Sequence, residues 1–212
     1  MKLWYKINLP LERLTKYGFH LATHPKNKPG INYTIITRPD LVLSPNLLDA
    51  FVSLNVHPWF VVFNTHPHLI IQNVSKEFIH KDLTGLGGTK WQAINGALSF
   101  EVNPTTKSVF RWFDTADYPE KPPVIIQENN PFEVALHNGI HYSQRGLVGV
   151  QPGMTVIEET ILDKPIIVRT DVPHSVTYDT TTGLRCGISI RFKESTKCWE
   201  EFSNCFAALM DK

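Results

Sequence analysis

No apolar run in this sequence approaches the roughly 20 residues a helix needs to cross a bilayer. The opening MKLWYKINLPLERL meets charges and Pro10 before any apolar stretch reaches signal-peptide length. The expectation is a cytoplasmic protein without a membrane partner. Cysteine is scarce. Cys186, Cys198 and Cys205 are an odd number at spacings that match neither a zinc ribbon nor a redox pair, which argues against a disulfide framework and for free thiols. A surplus of charge of one sign is lacking too. Lys plus Arg number 21 against 20 Asp plus Glu, a net charge of +1, and the basic residues are scattered. No surface is evidently built for a nucleic-acid backbone or an acidic lipid. Internal repeats, low-complexity tracts and long linkers are absent, so a second domain has nowhere to begin.

What is present is a succession of short β-branched and aromatic runs. INYTIIT (Ile31 to Thr37), WFVVFN (Trp59 to Asn64), HLIIQN (His68 to Asn73), WQAINGALSF (Trp91 to Phe100) and SVFRWF (Ser108 to Phe113) are separated by Pro, Gly and Asn. PVIIQ, FEVAL, TVIEE, PIIVRT, HSVTY and LRCGISIRF continue the pattern. Two segments are helical in period. In SPNLLDAFVSL, Ser44 can cap, Pro45 suits the first turn, and Leu47, Leu48, Phe51 and Leu54 share a face. In STKCWEEFSNCFAALM, Trp199, Phe202, Cys205, Phe206 and Leu209 recur at helical spacing. The expected fold is mainly β, a double-stranded β-helix of the jelly-roll or cupin-like kind with flanking helices. It would form one domain over 1–212, with supporting elements in 1–58, the β core in 59–192 and a C-terminal helix in 193–212. In LRCGISIRF, Leu184, Cys186, Ile188, Ile190 and Phe192 form an apolar face for a helix to cover. Arg185, Gly187, Ser189 and Arg191 share the other face, and two arginines directed into a barrel require anions.

Within EFIHKDLTG, His80 and Asp82 stand two residues apart. On an extended segment they point to one face about 7 Å apart, near enough to share an ion. A second imidazole is available in RTDVPHSVTYD, where His174 opens a strand, and ten residues after it comes Arg185. No other His has Asp at +2 or Arg at +11. An Arg at that offset from a given His arises by chance roughly 3% of the time, so the ordered combination is informative where the His-x-Asp pair alone is weak.

This layout, His80-x-Asp82, then His174, then Arg185 after ten residues, resembles the iron(II)- and 2-oxoglutarate-dependent oxygenases. The likeness covers roughly Phe60 to Phe192 and looks nearest to the aspartyl/asparaginyl and prolyl hydroxylase-like branches. Two imidazoles and a carboxylate on one face of an octahedral ferrous ion leave the other face open. The resemblance implies that 2-oxoglutarate and dioxygen use those positions, that 2-oxoglutarate is decarboxylated to succinate, and that a small-molecule or peptide substrate is hydroxylated. It also implies that Arg185 pairs with the distal carboxylate of 2-oxoglutarate, for which a planar guanidinium is suited. Asn95, in KWQAINGAL, is carried over as a further co-substrate contact. The sequence departs from the family pattern at Gly187, where many members have Ser. The Gly-rich LTGLGGTK resembles a loop over the site, although hairpins use glycine in the same way.

Other features have ordinary readings. THPH (Thr65 to His68) and HNGIH (His137 to His141) suit turns better than metal sites, and Arg111, Trp112, Arg169 and Arg191 receive no role. Two other classes stay open: a non-catalytic jelly-roll binding or structural protein, and a metal cupin that does not use 2-oxoglutarate.

Overall fold

The computed structural model describes residues 2–16, 32–36, 38–66, 78–86, 90–102, 108–114, 133–135, 140–148, 154–177 and 185–210. In chain order the elements begin with β1 (Trp4–Lys6), a helical turn α1 (12–16), β2 (Asn32–Ile36), α2 (Pro45–Ser53), β3 (Pro58–His66), β4 (Phe78–Leu86), β5 (Lys90–Ala93) and β6 (Gly96–Glu101). They continue with β7 (Val109–Phe113), β8 (Glu133–Ala135), β9 (Ile140–Val148), β10 (Val156–Ile161), β11 (Ile166–Arg169), β12 (His174–Thr177), β13 (Arg185–Phe192) and α3 (Trp199–Asn204). The protein is mainly β. One sheet runs β1-β11-β6-β13-β3-β2, the other β10-β7-β12-β4-β9-β8 with β5 on β4, and every pairing among the described residues is antiparallel.

Strand alternation sorts side chains into two cores. On the first sheet Val61, Phe63, Leu98, Phe100, Ile167, Ile188, Ile190 and Phe192 turn outward onto Leu47 and Phe51 of α2 and Trp199 and Phe202 of α3. Ala97, Ile166 and Val168 turn inward, against Phe110 and Trp112 of the second sheet. The apolar face expected of LRCGISIRF is thus covered by helices. Phe192 meets Phe51 edge-on at 5.0 Å and Phe206 at 5.4 Å, and each such fully buried side chain contributes about 1.5–3 kcal/mol. α2 begins as its sequence predicts, with Ser44 accepting a hydrogen bond from the Leu47 N–H at 3.3 Å and Pro45 in the first turn. It ends at Asn55, whose φ of 55° is a conformation that Asn tolerates.

Several expectations are corrected. WQAINGALSF is two strands rather than one: β5 belongs to the second sheet and β6 to the first, and the chain crosses between them at Ile94 and Asn95. Backbone hydrogen bonds hold the crossing, from the Ile94 N–H to the Asp82 carbonyl, the Asn95 N–H to the Ser195 carbonyl and the Thr170 N–H to the Asn95 carbonyl. The C-terminal helix is short. A 3-10 turn (Lys193–Thr196) precedes α3 and another (Ala207–Leu209) follows it. The extended backbone of Lys197 and Cys198 separates the first turn from α3, and Ser195 accepts the Phe192 N–H at 3.0 Å. Glycines of LTGLGGTK join a hairpin in which Gly85 faces Trp91 and Leu86 faces Lys90. His66 ends β3 and His141 lies within β9, so neither is a turn residue. HLIIQN and PVIIQ lie outside the described residues.

Candidate metal centre

β4 directs His80 and Asp82 between the sheets, while Ile79 turns the other way under Phe113 and Met154. His174, the first residue of β12, pairs with His80 on one side and Trp112 on the other. Directly opposed residues of antiparallel strands bring their Cβ atoms to about 4.5–5.5 Å. Accordingly the His80 and His174 rings lie 4.3 Å apart, centroid to centroid. The Asp82 Oδ1 is 3.7 Å from His80 Nε2, and one ligand atom from each of His80, Asp82 and His174 falls within 4.8 Å of the others, all three residues being buried. Cis ligands about 2.1 Å from a metal are about 3 Å apart, so modest side-chain rotations would close this group on an ion. The donor set, two imidazoles and a carboxylate, suits a divalent first-row metal. The buried His80, Asp82 and His174 could hold a metal ion.

The surroundings prepare these ligands. His174 Nδ1 lies 2.8 Å from the Val172 carbonyl oxygen and donates to it, leaving Nε2 with its lone pair. Phe110 stacks on the ring at 5.0 Å and 16°. Burial lowers the proton affinity of His174 below the ordinary imidazole range, outweighing the opposite pull of Asp82 and of the Val172 carbonyl. The ring is therefore neutral at neutral pH, the form that binds metals. The Asp82 backbone is held on both sides, its N–H donating to the Thr170 carbonyl at 3.0 Å and its carbonyl accepting from the Ile94 N–H at 3.1 Å. Trp112 donates its indole N–H to the Arg169 carbonyl at 2.8 Å, bracing the segment that leads into His174.

Arg191 is the participant that sequence reasoning missed. Its Nη2 donates to Asp82 Oδ2 and its Nη1 to the Ser189 hydroxyl, which is 2.8 Å from the Ser99 hydroxyl. The alternation of LRCGISIRF places Arg191 on the inward face, but nothing in the linear pattern says which anion it meets. Arg185 opens β13 opposite His66, six residues from Arg191, or about 20 Å along the strand; its side chain is outside the described part of the structure. Asn95 has a different engagement from the one carried over by resemblance. Its amide nitrogen donates to the Lys197 carbonyl at 2.6 Å and approaches that of Thr196 at 3.5 Å, tying the crossing to the C-terminal turn. Arg111 pairs with Glu159 at 3.1 Å and Arg169 with Asp171 at 2.7 Å, the ordinary fate of such residues. A cavity of about 670 Å³ lined by Leu11, Thr15, Phe100, Val102 and Leu162 lies at the far end of β6 from the histidines.

Comparison with protein-family models and with curated proteins finds no match to this sequence. The site is therefore interpreted from its own chemistry.

Proposed function

We propose that this protein is an iron(II)- and 2-oxoglutarate-dependent oxygenase that hydroxylates a small-molecule or peptide substrate, on a fold we read as a double-stranded β-helix. The observation that carries the proposal is the convergence of His80, Asp82 and His174 from two paired strands between two antiparallel sheets. Charge supports it as well. The described buried groups at the centre are two imidazoles, the Asp82 carboxylate and the Arg191 guanidinium, so a divalent ion there brings the local sum to about +2, which a dianion such as 2-oxoglutarate balances. Ferrous iron, when bound, supplies the redox chemistry and the open positions for co-substrate and dioxygen. The chain's own residues orient and shield. Val172 sets the tautomer of His174, Phe110 limits the tilt of its ring, Arg191 offsets the charge of Asp82, and burial between the sheets keeps bulk water from the reacting groups.

The test compares wild type with His174→Ala under air, each supplied with ferrous iron, ascorbate and 2-oxoglutarate. Succinate above the variant's background is the expected result, since uncoupled turnover needs no prime substrate. Its absence, together with no 2-oxoglutarate binding by calorimetry, would set the proposal aside in favour of a binding protein. Metal binding without 2-oxoglutarate consumption would favour a metal cupin.

A further inference from the structure

Asp82 has two carboxylate oxygens, and the structure gives them different neighbours. Oδ1 faces His80 Nε2 at 3.7 Å, on the side where the three ligand atoms converge. Oδ2 accepts from Arg191 Nη2, and the same guanidinium is tethered through Nη1 to Ser189, which is bonded in turn to Ser99 across β13 and β6. Both charged residues are almost wholly buried, Asp82 at 0% and Arg191 at 4% exposure. A guanidinium donates from fixed directions in one plane, so Arg191 cannot follow Asp82 if the carboxylate turns to offer both oxygens to one ion. We propose that Arg191 is a positioning residue that restricts Asp82 to single-oxygen coordination, with Ser189 and Ser99 holding the guanidinium in register.

The consequence concerns how many positions an ion keeps free. Two imidazole nitrogens and one carboxylate oxygen occupy three of six octahedral sites, while a chelating carboxylate would occupy a fourth. Three free sites accommodate a two-point ligand together with a third small molecule; two do not. Arg191 therefore sets the coordination capacity of the centre without touching the ion. This rests on the metal-binding part of the proposed function and not on which co-substrate is used.

Cobalt(II) alone is the probe, added anaerobically to the full chain carrying 13C-carboxylate aspartate. Difference infrared spectra give the separation of the symmetric and antisymmetric carboxylate stretches, which is wide for one-oxygen and narrow for two-oxygen binding. The visible d–d bands give the titration midpoint. Wild type is expected to show a wide separation; a narrow one would overturn the proposal without recourse to any variant. In Arg191→Met the separation should narrow and the midpoint should weaken about 10- to 100-fold, as for other groups that orient a ligand. Arg191→Lys, which keeps the charge but not the fork, should recover only part of the affinity. Ser189→Ala removes the tether with little risk to folding and should weaken the midpoint several-fold; if Arg191→Met does not fold, an unchanged midpoint in Ser189→Ala overturns the proposal. A wide separation retained in folded Arg191→Met would do the same. Failure of wild type to bind cobalt would instead defeat the metal-binding reading itself, and cobalt binding without 2-oxoglutarate binding would defeat only the oxygenase reading.

Discussion

At the scale of the residue, the centre shows how little chemistry is needed once burial is arranged. His174 is prepared as a ligand by one backbone carbonyl and one aromatic ring. Asp82 supplies the only carboxylate in the group of three, and its replacement by Ala leaves a divalent ion less compensated. Anaerobic titration of Asp82→Ala should show affinity lowered by at least about 10-fold, and an affinity equal to wild type would remove Asp82 from the site. Arg185 calls for a different measurement. If it pairs with the distal carboxylate of 2-oxoglutarate, Arg185→Ala should leave the metal midpoint nearly unchanged while weakening 2-oxoglutarate by about 2–5 kcal/mol, the usual cost of truncating a buried charged partner. The metal-to-ligand charge-transfer band of the iron complex reports that midpoint, and no change would shift the search to another cation.

At the scale of the element, two junctions hold the sheets in the arrangement the site requires. Gly96 begins β6 directly after the crossing at Ile94 and Asn95. A Cβ there would lie 2.2 and 2.3 Å from ring carbons of Phe202, a ring packed against Phe192 and Phe206. Gly96→Ala should therefore destabilise the fold by about 1–3 kcal/mol, read as a lower urea midpoint, and Phe202→Leu in the same background should recover part of the loss. The second junction is Glu194, which follows β13 and accepts from both the backbone N–H and the ring of His57, each at 2.8 Å. Burial raises the proton affinity of Glu194, but the two hydrogen bonds from His57 outweigh it, and the net shift is downward. A carboxylate depressed in the folded state contributes stability that is fully present above its ordinary range and is lost as pH falls through the depressed value. Glu194→Gln should accordingly lower stability by about 1 kcal/mol at neutral pH. The gap from wild type should close on acidification below the ordinary carboxylate range, and denaturation curves at both pH values would check it.

At the scale of the whole molecule, His80 and His174 lie on different strands and almost a hundred positions apart, so an ion bound by both links the early and late parts of the chain. Anything that binds the native state and not the unfolded one stabilises it, by about 2.7 kcal/mol at a hundredfold excess over Kd. The melting temperature of wild type should rise on adding ferrous or cobalt ion under anaerobic conditions and fall with a chelator, while His174→Ala should respond to neither. Among the described residues no helix is long and apolar enough to cross a membrane.

Read alone, the sequence determined whatever depends on short-range pattern. The mainly β character, the cap and apolar face of α2, the covered face of β13 and the nomination of His80, Asp82 and His174 all follow from alternation, turn residues and spacing, because side-chain direction on a strand repeats every second residue. Tertiary structure decided the rest. WQAINGALSF reads as an unbroken strand because its pattern does not register that Ile94 and Asn95 bond to Asp82, Thr170 and Ser195, partners distant in sequence. The C-terminal periodicity extends through several turns, yet the contacts of Ser195 with Phe192 and of Asn95 with Lys197 leave a short helix. The role of Arg191 was invisible for the same reason. Spacing can say that an arginine faces inward, but only the packing of one sheet on the other can say that the anion it meets is Asp82.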